Sequence, residues 1–195
     1  MKAKALITSL LMLATFSLFA QEENAPVKKY GFKSAIAKFA TEVMGQAVES
    51  TIYIDEYGAK ECQKAKVEIP GMGTMESGVI SKEGKTWNVN YTMKQVQEVT
   101  LNPADQPNFM NLDDETKKKF KIEEAGQEKV LDFDCTVYTL VTTSGEITAN
   151  AKVWVYKGLP LKTETEAMGM KVTNVVVEFK EGAMVLPQIF EVPKF

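Results

Sequence analysis

The octet Thr41-Glu-Val-Met-Gly-Gln-Ala-Val48 is the most informative stretch of the chain, because it returns as Thr165-Glu-Ala-Met-Gly-Met-Lys-Val172 with five positions unchanged. Each copy follows a stretch of alternating residues and precedes a run of β-branched residues. Alternation with a period of two is the pattern of a half-buried strand, and a central glycine supplies the positive φ that a tight turn needs. The two copies therefore predict hairpins at Gly45 and Gly169 and a mainly antiparallel β fold.

The apolar residues around the start of the first copy fit both a helical and a strand period. Apolar residues between Phe32 and Met44 fit one face of a helix, and the odd-numbered residues from Ala35 to Val43 also fit one face of a strand. The second copy follows Leu161-Lys-Thr-Glu164, where threonine and alternation favour a strand. Both copies are therefore predicted to lie on strands.

Short alternating segments separated by glycine-centred turns continue along most of the chain, which predicts one antiparallel meander. One helix is expected at Asn111–Lys121, capped by Asn111 or Asp113, with acids in its first turn and lysines in its last. Phe109, Leu112 and Phe120 are expected to pack this helix on the sheet. No linker divides residues 32–195, so they are predicted to form a single domain.

The N-terminus has the three-part pattern of a secretory signal peptide, with Lys2 and Lys4 before an apolar run and a small Ala20. The run is short for a membrane span, although a retained anchor is the alternative. Residues 1–20 are expected to be cleaved, leaving a flexible leader at 21–31. Because neither cysteine follows the cut, we expect a periplasmic or secreted protein with no lipidated cysteine and no membrane span after cleavage.

All 23 basic residues are lysine, and histidine is absent. Arginine is the preferred residue for bidentate recognition of phosphate, so a nucleic-acid partner is not expected for this acidic chain. Without histidine there is no imidazole base and no ordinary zinc site. The acidic groups Asp132/Asp134 and Asp113–Glu115 lack the spacing of a calcium loop. The chain is therefore not expected to be an enzyme or to hold a metal or cofactor.

Cys62 and Cys135 are the only thiols. An oxidising compartment would permit a disulfide between them, and two unpaired cysteines are the alternative. Cys62 alternates with Lys60, Lys64 and Lys66, which predicts that it lies on the solvent side of its strand.

Methionines adjoin glycines in the predicted turns, at Met44, Met72, Met168 and Met170. Flexible, polarizable methionine is common on surfaces that accept varied apolar partners, and core packing is the alternative. Trp87, Tyr91 and Met93 are predicted to share one face of a strand, as candidates for contact with a ligand.

The chain resembles an uncharacterised family of small envelope proteins through four stretches: the first Met-Gly hairpin, Ile52-Tyr-Ile-Asp-Glu-Tyr-Gly58, Phe133-Asp-Cys-Thr-Val-Tyr138 and Val153-Trp-Val-Tyr-Lys-Gly-Leu-Pro-Leu161. That family is similar to the lipoprotein-sorting carriers of the Gram-negative periplasm. The resemblance implies a strongly curved antiparallel sheet, a half-barrel with the short helix as a lid, and an apolar concave face for acyl chains. Those carriers use an arginine for release and this chain has none, so only binding of an apolar ligand carries over.

The strand face, the Met-Gly turns and the resemblance together predict six ligand-binding residues: Trp87, Tyr91, Met93, Trp154, Met168 and Met170. The expected function is non-enzymatic binding of a lipid, an acyl chain or another apolar molecule. The alternative is an envelope interaction module, whose Met-Gly tips and lysine-rich strand at 59–69 meet a partner protein. An apolar cavity of roughly a few hundred Å³ would favour the binding protein.

Overall fold

The computed structural model describes residues 28–43, 46–69, 71, 73–100, 106–144 and 147–195. The strands are β1 Ala35–Val43, β2 Gln46–Asp55, β3 Lys60–Ile69, β4 Gly73–Lys82, β5 Lys85–Asn90, β6 Gln95–Val99, β7 Glu123–Val130, β8 Phe133–Ser144, β9 Ile147–Tyr156, β10 Leu159–Ala167 and β11 Met170–Glu181. Within these described ranges, one α-helix, α1, covers Asp114–Phe120, and two 3-10 turns cover Glu56–Gly58 and Pro187–Phe190. The predicted signal peptide, Met44, Gly45 and Met72 lie outside the described residues.

All eleven strands form one sheet in the order β6-β5-β4-β3-β2-β1-β11-β10-β9-β8-β7. Every neighbouring pair is antiparallel, and β1 pairs with β11, so the first and last strands meet in the middle of the sheet. The outermost strands, β6 and β7, do not pair with each other, and the sheet stays open. The predicted fold class, a mainly β protein with one antiparallel sheet and one short helix, is confirmed.

The sheet curls strongly around its main core. One cluster of buried side chains draws on seven adjacent strands, from β2 through β1 and β11 to β7. The ring centroids of Phe133 on β8 and Phe179 on β11 are 5.0 Å apart, although three strand spacings in a flat sheet would separate them by roughly 14 Å. The two rings meet only because the sheet bends between their strands.

The second octet forms the predicted hairpin. Its turn residues Met168 and Gly169 have φ values of 53° and 75°, which lie in the left-handed region. The segment at 35–43 is a strand, as the octet repeat predicted, and not a helix. Because Glu42 pairs with Thr173, the β1–β2 and β10–β11 hairpins end side by side at the same end of the sheet.

Helix α1 is shorter than predicted. The Asp113 carboxylate accepts a hydrogen bond from the Thr116 N–H at 2.7 Å, which fixes the start, and Lys121 at φ 48° ends the helix. Phe120, with Phe109 and Leu112, packs on side chains of β8 and β9, as expected. Among the described residues, no helix has the length and apolar character needed to cross a bilayer.

Two predicted features differ from the structure. The strand that carries Trp87 ends at Asn90, because the Asn90 carboxamide oxygen accepts a hydrogen bond from the Met93 N–H at 2.8 Å and closes a turn at 91–94. Residues 28–31, predicted to belong to a flexible leader, contain the buried side chains of Lys29 and Tyr30. The backbone N–H groups of both residues donate to the Tyr57 carbonyl, at 3.0 and 3.2 Å.

Candidate functional site

One side of strands β1 to β6 carries almost no charge. Cross-strand pairing assigns to it every second residue of each strand, and we name it the uncharged face. Its described residues are Ala35, Ala37, Phe39, Thr41, Val48, Ser50, Ile52, Ile54, Glu61, Gln63, Ala65, Val67, Ile69, Gly73, Met75, Ser77, Val79, Ser81, Thr86, Asn88, Asn90, Gln95, Gln97 and Val99. Glu61 is the one charged residue among them.

The opposite side of the same strands holds the charges: Lys38, Glu42, Glu49, Asp55, Lys60, Lys64, Lys66, Glu68, Glu76, Lys82, Lys85 and Glu98. In an antiparallel sheet with one covered and one wet face, the uncharged side is normally the buried one. Here the uncharged face is buried at β1 and β2, but Gln63, Val79 and Asn88 are half-buried and Gln97 is exposed. The part of the uncharged face on β3 to β6 therefore has few charges, as a protein interior does, but described residues do not cover it fully.

The exception, Glu61, is neutralised inside the protein. Its side chain is 2% exposed and its carboxylate lies 2.5 Å from the Lys29 ammonium. Burial lowers the pKa of Lys29, and the charge and hydrogen bond of Glu61 oppose that effect. Beside this pair, the Ser81 and Thr86 hydroxyl oxygens are 2.6 Å apart. This end of the face therefore offers no unpaired charge to a ligand.

The other side of β3 to β5 is covered by the chain's own C-terminus, residues Ala183–Phe195, which we name the strap. Phe190 of the strap is buried against Cys62, Ile80 and Val89, with Trp87 and Tyr91 packed around this cluster. The strap, which contains Pro187 and Pro193, packs on the middle strands of this half of the sheet.

This packing corrects the prediction for Cys62. The thiol shares its strand face with lysines, as the alternation indicated, but it is fully buried because the strap covers it. Burial raises the pKa of Cys62 to about 11, and the pKa of Cys135 to about 11 as well. The two thiols are free and belong to different clusters.

The structure does not gather the six predicted ligand-binding residues into one site. Trp87 and Tyr91 both pack against the cluster beneath the strap, and the centroids of the Tyr91 and Phe195 rings are 6.4 Å apart. Met93 is 59% exposed in its turn, and Met168 is 76% exposed at the tip of the β10–β11 hairpin. Met170 follows that tip on β11.

Trp154 lies in the main core, where neighbouring side chains contact its indole ring. Its indole N–H donates to the Glu128 carboxylate at 2.8 Å, and this bond, with one from Lys152, lowers the pKa of Glu128. The Lys162 ammonium lies 4.1 Å from the indole centroid. These contacts hold Trp154 in place and leave little of its surface for a ligand.

A cavity of about 480 Å³ lies elsewhere, across β7 to β11. It is bordered by Lys121, Glu123, Thr139, Leu140, Val141, Asn150, Ala151, Lys152, Glu164, Thr165, Glu166 and Lys171. Glu164 is paired with Lys162 at 2.8 Å and with Lys171 at 3.0 Å. The volume suits a small ligand, but nine of the twelve lining residues are polar or charged, and none of the six predicted residues is among them.

Sequence reasoning missed the amide side chains of the uncharged face, chiefly Gln63, Asn88 and Gln97. The signal was present, because alternate residues on these strands lack charge while the others carry most of it. Within the described residues, no group of three or more His, Cys, Asp or Glu is placed to hold a metal.

Known proteins match this chain by structure and not by sequence. No protein-family model matches it, and no curated protein does. An uncharacterized conserved protein from Thermus thermophilus is 16% identical, with 86% of this chain and 90% of that chain covered and a TM-score of 0.53. MucB, solved in complex with MucA(peri), is 15% identical, with 83% of this chain and 54% of that chain covered and a TM-score of 0.50.

A putative outer membrane lipoprotein-sorting protein domain from Vibrio parahaemolyticus is 14% identical, with 82% of this chain and 90% of that chain covered and a TM-score of 0.40. At these identities the similarity concerns the fold alone. The two structures with TM-scores of 0.53 and 0.50 share the fold of this chain.

Proposed function

We propose that this chain is a non-enzymatic binding protein of the cell envelope, periplasmic or secreted, that holds a lipid, an acyl chain or another apolar molecule on its uncharged face. One observation carries the proposal: the pairing of β1 to β6 directs all their described charged side chains except Glu61 away from a face that is only half covered at β3 to β6. A charge facing an apolar ligand would lose its hydration, so such a face must be free of unpaired charge.

The expected affinity follows from burial. Covering about 300 Å² of ligand hydrocarbon at about 25 cal/mol per Å² supplies roughly 7 kcal/mol before ordering costs, so we expect a Kd no tighter than about 10 μM. No ion pair is required. The absence of arginine is consistent with a ligand held by its apolar part.

Titration with the uncharged fluorescent probe N-phenyl-1-naphthylamine tests the proposal. We expect saturable binding by the wild-type protein and at least tenfold weaker binding by Val79→Lys, which places a charge in the middle of the uncharged face. The matched control is Val96→Lys, which adds the same charge on the opposite side of β6. Equal binding by both variants, or no binding by the wild type, would refute the proposal.

A second candidate function is binding of a partner protein, and the open edge strand β6 favours it. Gln95–Glu98 are exposed, and an unpaired edge can accept an extended segment from another chain. MucB, which shares the fold, was solved in complex with MucA(peri). Native mass spectrometry of protein from the periplasm separates the two functions, because a co-purifying lipid supports the first and a stoichiometric peptide supports the second.

A further inference from the structure

Resting on the proposed function, we infer that the ligand of the uncharged face is an amphiphile with a neutral, hydrogen-bonding head group, bound with its tail towards β1 and β2 and its head at the β5–β6 edge. One row of cross-strand neighbours runs from the sheet centre to this edge. In that order its residues are Phe179, Ala37, Ile52, Gln63, Val79, Asn88 and Gln97.

The polarity and the exposure of these side chains both increase along the row towards the edge. At β11, β1 and β2 it is apolar and buried in the main core, and towards the edge it becomes amide-rich and increasingly exposed. The row beside it has the same order, from Val176 and Phe39 through Ser50 to Asn90 and Gln95. Three strand spacings separate half-buried Gln63 from Gln97, about 14 Å, and this is the part of the row that is open to a ligand.

Two amides near the edge are available for a ligand. The Asn88 side chain is half-buried, the Gln97 side chain is exposed, and neither makes a hydrogen bond to another described residue. Asn90, by contrast, uses its side chain to close the turn with Met93. A head group with hydroxyl or amide groups would donate to and accept from these two carboxamides.

A charged head group would not find a partner on this face. Its one charged residue among those described, Glu61, is buried and already paired with Lys29, and the lysines of these strands point to the other side. Neutral hydroxyl and amide groups match the carboxamides, which both donate and accept. The face therefore selects a neutral head over an anionic or cationic one.

Competition against bound N-phenyl-1-naphthylamine tests the inference, with amphiphiles that share a decyl chain and are kept below their micellar concentrations. We expect decyl glucoside to displace the probe at about a tenth, or less, of the concentration needed for decanoate or decyltrimethylammonium. Tenfold corresponds to about 1.4 kcal/mol, the scale of one hydrogen bond. Glucose alone should not compete. In Asn88→Leu/Gln97→Leu the probe should still bind, and the preference for the glucoside should disappear.

The outcomes separate the two proposals. Equal or better competition by either ion, or competition by glucose alone at the same concentration as the glucoside, overturns the inference and leaves the proposed function standing. Failure of the probe to bind the wild-type protein overturns both. The preference of the wild-type protein is itself a sufficient test, so a double variant that fails to fold does not affect the outcome.

Discussion

Phe190→Ala should release the strap from the sheet without unfolding the rest of the protein. Phe190 is 3% exposed and is the one fully buried strap residue in the cluster with Cys62 and Ile80. Among the described residues, the strap's backbone hydrogen bonds are local, within the turn at Pro187–Phe190. Side-chain packing therefore holds the strap, and Phe190 supplies the largest buried part of it.

The size of the effect follows from the burial of this ring. Truncating a buried phenylalanine to alanine costs about 3–5 kcal/mol in the transfer and cavity contributions. A loss of about 3 kcal/mol raises the equilibrium between the open and the docked strap by about a hundredfold, since each 1.4 kcal/mol is tenfold. Because local opening is cheaper than global unfolding, the change should be confined to the face beneath the strap.

The two cysteines report on this opening. Cys62 lies under the strap and Cys135 lies in the main core, so maleimide labelling followed by peptide mass spectrometry measures both in one sample. We expect labelling of Cys62 to accelerate by about a hundredfold in Phe190→Ala while that of Cys135 stays unchanged. Phe195→Ala, which removes a ring that is 57% exposed, is the control and should have a small effect. Equal acceleration of both cysteines would show that the strap and the sheet unfold together and would refute the reasoning.

Three further predictions concern stability. Glu61→Gln should lower the free energy of unfolding by about 3–5 kcal/mol in urea denaturation, because it leaves the Lys29 ammonium buried without its counter-charge, and Lys29→Met in the same chain should recover much of the loss; additive losses in the double variant would contradict this. Asp113→Ala should cost about 1 kcal/mol by removing the cap of α1, whereas Asp113→Asn should retain most of the stability in the same assay. Hydrogen bonds from Lys180 and Lys38 lower the pKa of Glu178 from 4.5 to about 2, so its contribution is fully present above pH 4.5 and is lost as the pH falls towards 2. Thermal unfolding of Glu178→Gln should therefore depend less on pH across that window than the wild type, and parallel curves would refute the assignment.

The candidate site was predictable in part. Alternation in the sequence assigns the residues of β2 to β5 to two sides correctly, and it places Cys62 with the lysines and Trp87 with Val89. The prediction that the side with Cys62 faces solvent was wrong, because a strand pattern does not show which distant segment covers a face. The strap joins the sheet through contacts more than a hundred residues apart in the chain, and no local pattern encodes them.

Sequence patterns were enough to predict most of the strands, the hairpin turn at Met168-Gly169, a helix capped by Asn111 or Asp113, and the separation of charged from uncharged residues. These follow from local backbone preferences and from the two-residue period of a strand. The pairing of β1 with β11, the curl of the open sheet and the packing of the strap over Trp87 could be seen only in the folded protein. Such choices depend on the free energy of packing between remote segments, which is settled when the whole chain folds.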